Sequence, residues 1–218
     1  MFLFGVVSGF GFVWVVLNIW QKEWVMNRSY YQNGVVDFLH DSNNEILGKL
    51  ANQHEFDLTE LQRNAWTKQV ALLKTCLLPL QQGRLYFEFA IPRMGKRVDN
   101  ILLIHDLILV IEFKVGAEQY PKHAKTQVID YCLDLLNFHA GSHGQKVVPI
   151  LVSTQASDAV QDWDAIKNLK DSVCCHGGNL TEVLQQTIEK FSTEQCIGIA
   201  AWEAGAYKPT PTIIEAAQ

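Results

Sequence analysis

The stretch RVDNILLIHDLILVIEFK, residues 97–114, decides the fold of this chain. Two runs rich in β-forming residues, Arg97–Ile104 and Leu107–Lys114, flank the dipeptide His105-Asp106, which favours a tight turn between antiparallel strands. An earlier run, Arg84–Ile91, has the same character. The three runs together predict three sequential strands, and an antiparallel meander is their natural arrangement.

Segments with helical periodicity lie before and after these three strands. A near-continuous apolar run, Lys146–Ser153, predicts a further strand that is buried on both faces. Helices are predicted within 33–51 (with a break and N-cap at 41–44), 58–77, 123–139, 158–173 and 180–191, and 196–202 is predicted to be a last strand. The order αβββαβ, followed by helices and a strand, predicts an α/β (mixed α+β) fold with a central mixed sheet of about 4–5 strands flanked by helices.

Three polar residues stand near the ends of the apolar strands. Glu112 and Lys114 share one strand face, because strand side chains alternate. If the strands pair through the tight turn, Asp99 can face Glu112 across the ladder. Two carboxylates this close repel unless a cation lies between them, and oxygen-rich sites with vacant positions suit Mg²⁺ or Mn²⁺. Such a metal can polarise a phosphodiester and supply hydroxide, while Lys114 stabilises developing charge or orients the attacking water.

Asp99, followed by Glu112-Phe-Lys114 at the end of an apolar strand, resembles the PD-(D/E)XK nuclease superfamily. The element order is similar to the core of its restriction-endonuclease-like fold. In the next helix, Gln127-Val-Ile-Asp-Tyr131 is similar to the Gln-x-x-x-Tyr motif of RecB-like members. Residues four apart share a helical face, so both side chains could line the same cleft. The resemblance implies that Asp99 and Glu112 are metal ligands and that Lys114, Gln127 and Tyr131 belong to the catalytic set.

The resemblance also implies a further acidic ligand, since many members of the superfamily add a glutamate from the first helix. Glu45, in an early predicted helix, and Glu88, in the first strand of the meander, are both candidates, and Glu45 is slightly preferred. Beside Asp99, a basic turn that contains Arg93, Lys96 and Arg97 could bind a phosphate group.

Several further runs narrow the resemblance to the N-terminal region of bacterial Schlafen-like DNA/RNA helicase proteins. They are Asn27-Arg-Ser-Tyr-Tyr, Asn44-Glu-Ile-Leu-Gly-Lys-Leu, Leu61-Gln-Arg-Asn-Ala-Trp66, Ile91-Pro-Arg-Met-Gly-Lys-Arg-Val-Asp99 and Pro209-Thr-Pro-Thr-Ile-Ile-Glu-Ala-Ala-Gln218. In these proteins a nuclease-like domain precedes a helicase motor. We therefore expect a nuclease-like domain at 26–205 and a linker at 206–218 toward a motor that this chain lacks. The sequence has no Gly-x-x-x-x-Gly-Lys-[Ser/Thr] loop, so no nucleotide site of that type is expected.

Composition limits the possible partners. The chain has 218 residues, 48% of them hydrophobic, and a net charge of -5. It is therefore neither a disordered chain nor a polycation, and nucleic acid would have to be held by a local basic patch. Residues 1–25 form an apolar leader that is either a membrane anchor, which would leave the domain facing the cytoplasm, or an extension upstream of a start at Met26 in a cytoplasmic protein.

The predicted function is metal-dependent hydrolysis of phosphodiester bonds in DNA, in preference to RNA. The alternative is a catalytically weak module that binds nucleic acid and belongs to a helicase or a defence protein. A purely structural interpretation also exists, in which Asp99 pairs with Lys114 and Glu112 is solvated at a strand end.

Overall fold

The computed structural model describes residues 28–54, 58–193 and 195–208, and a six-stranded mixed sheet forms the centre of this part of the chain. The strands follow one another across the sheet in chain order. They are β1 Tyr31–Gly34, β2 Arg84–Ile91, β3 Lys96–Ile104, β4 Leu107–Lys114, β5 Lys146–Ser153 and β6 Val173–Cys175. Neighbours from β1 to β4 are antiparallel, whereas β4, β5 and β6 run parallel. The parallel half requires a crossover between β4 and β5, and a helix supplies it.

Helices cover both faces of the sheet. In the described ranges they are α1 Val35–His40, α2 Asn43–Gln53, α3 Glu60–Leu77, α4 Lys122–Phe138, α5 Trp163–Lys167, α6 Leu180–Phe191 and α7 Ile199–Glu203. Three of them begin at side-chain caps: Ser42 accepts a hydrogen bond from the Glu45 amide and Thr59 from the Gln62 amide, each at 3.2 Å, and Asp162 accepts one from the Ala165 amide at 3.0 Å. Such caps satisfy N–H groups of the first turn, which have no partner inside the helix.

Two apolar cores lie on opposite faces of the sheet. The first joins α1, α2, α3 and α6 to one face, with Phe38, Trp66 and Leu184 among its buried members. The second joins α4 to the other face, with Tyr131 and Trp202 among its buried members. Strand side chains that alternate in direction feed both cores, so nearly every residue of β4 is buried. The sheet is therefore covered on both sides, which leaves its edges and strand ends for polar groups.

The structure confirms the predicted meander and the mixed α/β architecture. β3 and β4 pair through the His105-Asp106 turn, with Ile104 opposite Leu107. The sheet has more strands than predicted, because the short segments β1 and β6 also pair. The predicted strand at 196–202 is wrong: its second half is helix α7, and Trp202 is buried against the second core. Within the predicted helix at 158–173, only α5 is helical.

The two ends of the described chain meet on one side of the molecule. Arg28 Nη1 donates to the Gly205 carbonyl at 2.6 Å, and Tyr207 pairs with His139 in an isolated bridge. The leader at 1–25 and the 209–218 part of the predicted linker lie outside the described residues. Within 28–54, 58–193 and 195–208, the structure contains no helix that is both long and apolar enough to cross a membrane.

Candidate active site

The sheet divides at the predicted catalytic residues. The β3–β4 ladder ends at the pair Asn100 and Ile111, whereas β4 stays paired with β5 as far as Lys114. One step beyond the last pair, the carboxylate of Asp99 replaces a backbone partner, because its Oδ2 accepts a hydrogen bond from the Phe113 amide at 2.8 Å. β3 and β4 thus separate where Asp99 and Glu112 would otherwise have faced each other. The separation leaves room for polar side chains between two otherwise buried strands.

Glu112 is the centre of a hydrogen-bonded network. Its Oε1 accepts from Lys114 Nζ and from Gln127 Nε2, both at 2.9 Å. Lys114 Nζ also donates to Gln127 Oε1 at 3.2 Å, and Gln127 Nε2 donates to the Tyr131 hydroxyl at 2.8 Å. Helix α4 therefore presents the two residues of its Gln-x-x-x-Tyr motif to the end of β4. The structure brings all five predicted catalytic residues together in one place.

This network differs from the alternative in which Asp99 pairs with Lys114 and Glu112 is solvated at a strand end. Lys114 pairs with Glu112, and Asp99 bonds a backbone amide. Glu112 is only 4% exposed, so it is a buried carboxylate and not a solvated one at a strand end. A buried carboxylate must be paired or well hydrogen-bonded to be stable. Lys114 and Gln127 supply that compensation at one oxygen, while Glu112 Oε2 is buried and has no hydrogen-bond partner within the part of the chain that the structure describes.

Glu88 reaches the same place from β2. The β2–β3 ladder pairs Phe87 with Asn100 and then Phe89 with Val98. Glu88 and Asp99 lie between these two pairs and are not paired with each other in the ladder. Glu88 has a φ of 53°, in the left-handed region that a residue with a side chain seldom adopts. Backbone strain of this kind is concentrated at functional sites.

Two residues of α3 hold the Glu88 carboxylate. Trp66 Nε1 donates to Glu88 Oε1 at 2.7 Å, and Gln62 Nε2 donates to the same oxygen at 3.2 Å. Neither Trp66 nor Gln62 is among the predicted site residues. A tryptophan in a helical core stripe needs an acceptor for its indole N–H when it is buried, and this requirement is the signal that points from Trp66 to a nearby carboxylate.

Burial raises the pKa of all three carboxyl groups, and neighbouring carboxylates add to the shift for Asp99 and Glu88. Burial, with the negative charges of Glu112 and Glu88, raises the pKa of Asp99 well above its ordinary value. Burial also raises the pKa of Glu112, although the ammonium group of Lys114 opposes the shift. The pKa of Glu88 is raised by burial, while the hydrogen bond from Trp66 opposes that shift. Clustered carboxyls that disfavour ionisation in this way are suited to take up a cation.

An open cleft of about 660 Å³ gives access to the carboxylates. Asp99, Glu88, Glu112, Gln127 and Tyr131 all line it. Its other walls come from the residue that follows α2, from α3, from β2, β3 and the turn between them, and from the chain before β1. The remaining lining residues are Tyr30, His54, Gln62, Ala90, Ile91, Pro92, Gly95, Lys96 and Arg97.

Two predicted residues lie elsewhere. Glu45 forms a salt bridge with Lys49 on the outer face of α2 at 2.9 Å and does not line the cleft. Glu88, and not the slightly preferred Glu45, is therefore the additional carboxylate that the fold brings to the site. Arg93 is bound to the Asp134 carboxylate at 3.2 Å and lies over the Phe138 ring, with its Cζ 3.9 Å from the ring centroid.

The other two members of the predicted basic turn do face the cleft. Lys96 is exposed, and Arg97 Nη1 donates to the Glu88 carbonyl at 2.6 Å. The positive charge near the carboxylates therefore comes from Lys96, Arg97 and Lys114. This local charge is what a chain with a net charge of -5 needs in order to bind a phosphate backbone.

The carboxylate donors of the cleft suit Mg²⁺ or Mn²⁺ better than the softer metals that prefer Cys or His ligands. Within the described ranges, no group of three or more His, Cys, Asp or Glu side chains is placed to hold a metal ion as it stands. Mg²⁺ does not require such a cage, since it is commonly bound by one or two carboxylates together with water and substrate phosphate. Asp99 and Glu112 provide two such carboxylates. Glu112 Oε2 has no hydrogen-bond partner among the described residues, and the raised pKa values of both groups mean that a nearby cation would favour their ionised forms.

Comparison with known proteins does not identify a function for this chain. No protein-family profile matches the sequence, and no curated protein is similar to it. Among solved structures, the crystal structure of protein VC1899 from Vibrio cholerae is similar over 81% of this chain, at 13% sequence identity and a TM-score of 0.34. This chain spans 50% of the length of that protein. A likeness this weak carries no argument about function, so the case for a function rests on the geometry of the cleft.

Proposed function

We propose that this chain is a metal-dependent nuclease domain that hydrolyses phosphodiester bonds in DNA, in preference to RNA. The observation that carries the proposal is the meeting of Asp99, Glu112 and Gln127, which line an open cleft where β3 and β4 separate. Lys114 joins them through its bonds to Glu112 and Gln127. Following the resemblance of the sequence, we also propose that the domain normally precedes the motor of a Schlafen-like helicase.

Asp99 and Glu112 would hold Mg²⁺ or Mn²⁺, with Glu88 as an additional carboxylate. The metal, when bound, supplies Lewis-acid activation of the scissile phosphate and an acidic water molecule. Lys114 keeps an ammonium charge beside Glu112 and can stabilise the negative charge that builds up on the phosphate, or orient the attacking water. Gln127 fixes both of these side chains, since its amide donates to Glu112 and accepts from Lys114. Lys96 and Arg97 lie on the wall of the cleft and attract the phosphate backbone.

Cleavage of labelled single- and double-stranded DNA and RNA in Mg²⁺ or Mn²⁺ tests the proposal. Asp99→Asn and Lys114→Met should each reduce the rate at least about 100-fold, because each removes a group that acts on the reacting phosphate. Glu88→Gln keeps an acceptor for Trp66 and should lower the rate as well. Glu45→Gln is the matched control, since Glu45 is a carboxylate outside the cleft, and it should leave the rate unchanged. Cleavage that survives Asp99→Asn would refute the site.

A non-catalytic nucleic-acid-binding module is the second candidate. The ion pair between Lys114 and Glu112 favours it, because a lysine held by a carboxylate can serve stability alone. This candidate predicts binding that depends on Lys96 and Arg97, does not require divalent metal and is accompanied by no turnover. Metal-dependent cleavage by the unmodified chain would exclude it.

A further inference from the structure

One wall of the cleft combines aromatic rings with a guanidinium group. Tyr30, His54 and Arg97 all line the cleft. Arg97 Cζ lies 4.0 Å from the centroid of the Tyr30 ring, in the range of a cation–π contact. The Tyr30 ring meets the rings of His54 and Trp66 edge to face, with centroids 6.1 and 6.5 Å apart. These contacts fix the Tyr30 ring, and the ring in turn supports the guanidinium group.

Backbone carbonyls also hold Arg97. Its Nη1 donates to the Glu88 carbonyl at 2.6 Å and to the Arg28 carbonyl at 3.4 Å. Both acceptors are neutral, and Arg97 forms no salt bridge with a carboxylate of the described residues. An arginine that is already fixed loses little side-chain freedom when it binds a ligand, which makes the contact more favourable than one from a mobile side chain.

The wall lies beside the proposed reaction centre. Glu88 links the two, since its carbonyl binds Arg97 while its carboxylate lines the cleft with Asp99 and Glu112. Glu88 and Glu112 are only 8% and 4% exposed, so a phosphate group must enter the cleft to approach them. A volume of about 660 Å³ is of the size that encloses a small ligand. A nucleotide whose phosphate is bound there would place its base close to the wall.

On the basis of the nuclease function proposed above, we infer that Arg97, supported by Tyr30, stacks against an unpaired base next to the scissile phosphodiester. The substrate of the site is therefore a single strand. Arginine planes and aromatic rings are the groups on which proteins stack unpaired bases, and such stacking tolerates any base. Bases inside a duplex are stacked on each other and cannot make this contact unless they are extruded.

Binding measurements on the full-length chain test the inference directly. Fluorescence anisotropy would follow a labelled single strand of about 12 nucleotides, the length that one compact binding site covers, and the matched duplex. All proteins would carry Asp99→Asn to prevent cleavage. Arg97→Lys keeps the charge and removes the plane, and Tyr30→Leu keeps an apolar side chain and removes the ring. Each should weaken single-strand binding about tenfold and leave duplex binding within about twofold.

Lys96→Gln is the matched control, because it removes a charge from the same wall without removing a stacking plane. It should weaken binding of the single strand and of the duplex to the same extent and reduce the salt dependence of both affinities. Oligonucleotides with one abasic position provide a test that does not depend on folding of a variant. The abasic strand should bind about tenfold more weakly than the intact strand in the Asp99→Asn protein, and equally well when Arg97→Lys is also present.

Equal losses for single strand and duplex in Arg97→Lys would overturn the inference, and so would an abasic penalty that persists in that variant. The nuclease proposal fails separately, if the unmodified chain cleaves no substrate in Mg²⁺ or Mn²⁺ while the stacking pattern is present. Circular dichroism melting curves identify a Tyr30→Leu protein that does not fold, and in that case the Arg97→Lys and abasic measurements decide the question. The same binding measurement with a DNA strand and an RNA strand of one sequence shows which sugar the cleft prefers.

Discussion

Removal of the ammonium group of Lys114 should destabilise the protein as well as inactivate it. Lys114→Met leaves Glu112, which is 4% exposed, with the Gln127 amide as the one remaining side-chain donor to its carboxylate among the described residues. The loss of one partner of a buried ion pair is costly because the other charge stays buried without compensation. The variant Glu112→Gln together with Lys114→Met removes both charges, so much of the lost stability should return while activity stays absent.

The size of the effect follows from the geometry of the pair. Lys114 Nζ lies 2.9 Å from Glu112 Oε1. Two unit charges about 4 Å apart attract each other by about 4 kcal/mol at an effective dielectric constant of about 20. The Lys114 side chain is 26% exposed, so water weakens this attraction. We therefore expect a coupling free energy of about 2 kcal/mol between the two side chains, and a loss of about 2–3 kcal/mol in the free energy of unfolding of Lys114→Met.

A double-mutant cycle measures this coupling. Urea denaturation would be recorded at pH 7 in EDTA for the unmodified protein, Lys114→Met, Glu112→Gln and the double variant. Single-turnover cleavage in Mg²⁺ should show losses of at least about 100-fold in both variants that lack Lys114. A coupling below about 0.5 kcal/mol would refute the reasoning, because it would place the ion pair among exposed pairs that contribute little to stability.

Further predictions concern pH and metal. Because folding raises the pKa of Asp99, metal-free stability should fall as the pH rises above the ordinary aspartate pKa of ~4, by at most about 1.4 kcal/mol per pH unit until the folded pKa is passed, and Asp99→Asn should make this fall shallower in denaturation curves. Mg²⁺ should raise the melting temperature of the unmodified protein at pH 8 but not that of Asp99→Asn. Burial lowers the pKa of His139 to about 4 from the model-peptide value of 6.5, so stability should fall by about 3 kcal/mol as the pH drops from ~6.5 to ~4, and His139→Gln should show a shallower loss. Hydrogen bonds from Lys146 and Thr193 outweigh the effect of burial and hold the pKa of Asp106 below its usual range, so Asp106→Asn should cost about 1–2 kcal/mol at pH 7 and progressively less as the pH falls below ~4.

The sequence predicted the part of the site that depends on local patterns. Alternation along β4 put Glu112 and Lys114 on one face, and helical spacing put Gln127 and Tyr131 on one face of α4. The tight turn fixed the register that brings Asp99 level with Glu112. These features depend on residues close in the chain, which is why they could be predicted.

Contacts between distant elements were harder to predict. Whether Glu45 or Glu88 completes the site depends on how α2 packs against the sheet, and no local pattern determines that. Arg93 was expected to bind nucleic acid, but it bonds Asp134, which lies 41 positions later in the chain. The short run at 196–202 resembles a strand because brief apolar runs suit both helix and strand, whereas its second half lies in helix α7, with Trp202 buried in the second core.

The hydrogen bond from the Phe113 amide to Asp99 makes that amide a spectroscopic reporter of the site. Its proton bonds a carboxylate, so protonation of Asp99 or its coordination to a cation would change the acceptor and therefore the chemical shift and hydrogen-exchange rate of this single amide. A heteronuclear correlation spectrum recorded during a Mg²⁺ or pH titration would then read the state of the carboxylate cluster without any substrate. The neighbouring amides of β4, which are paired with β5, would serve as an internal reference.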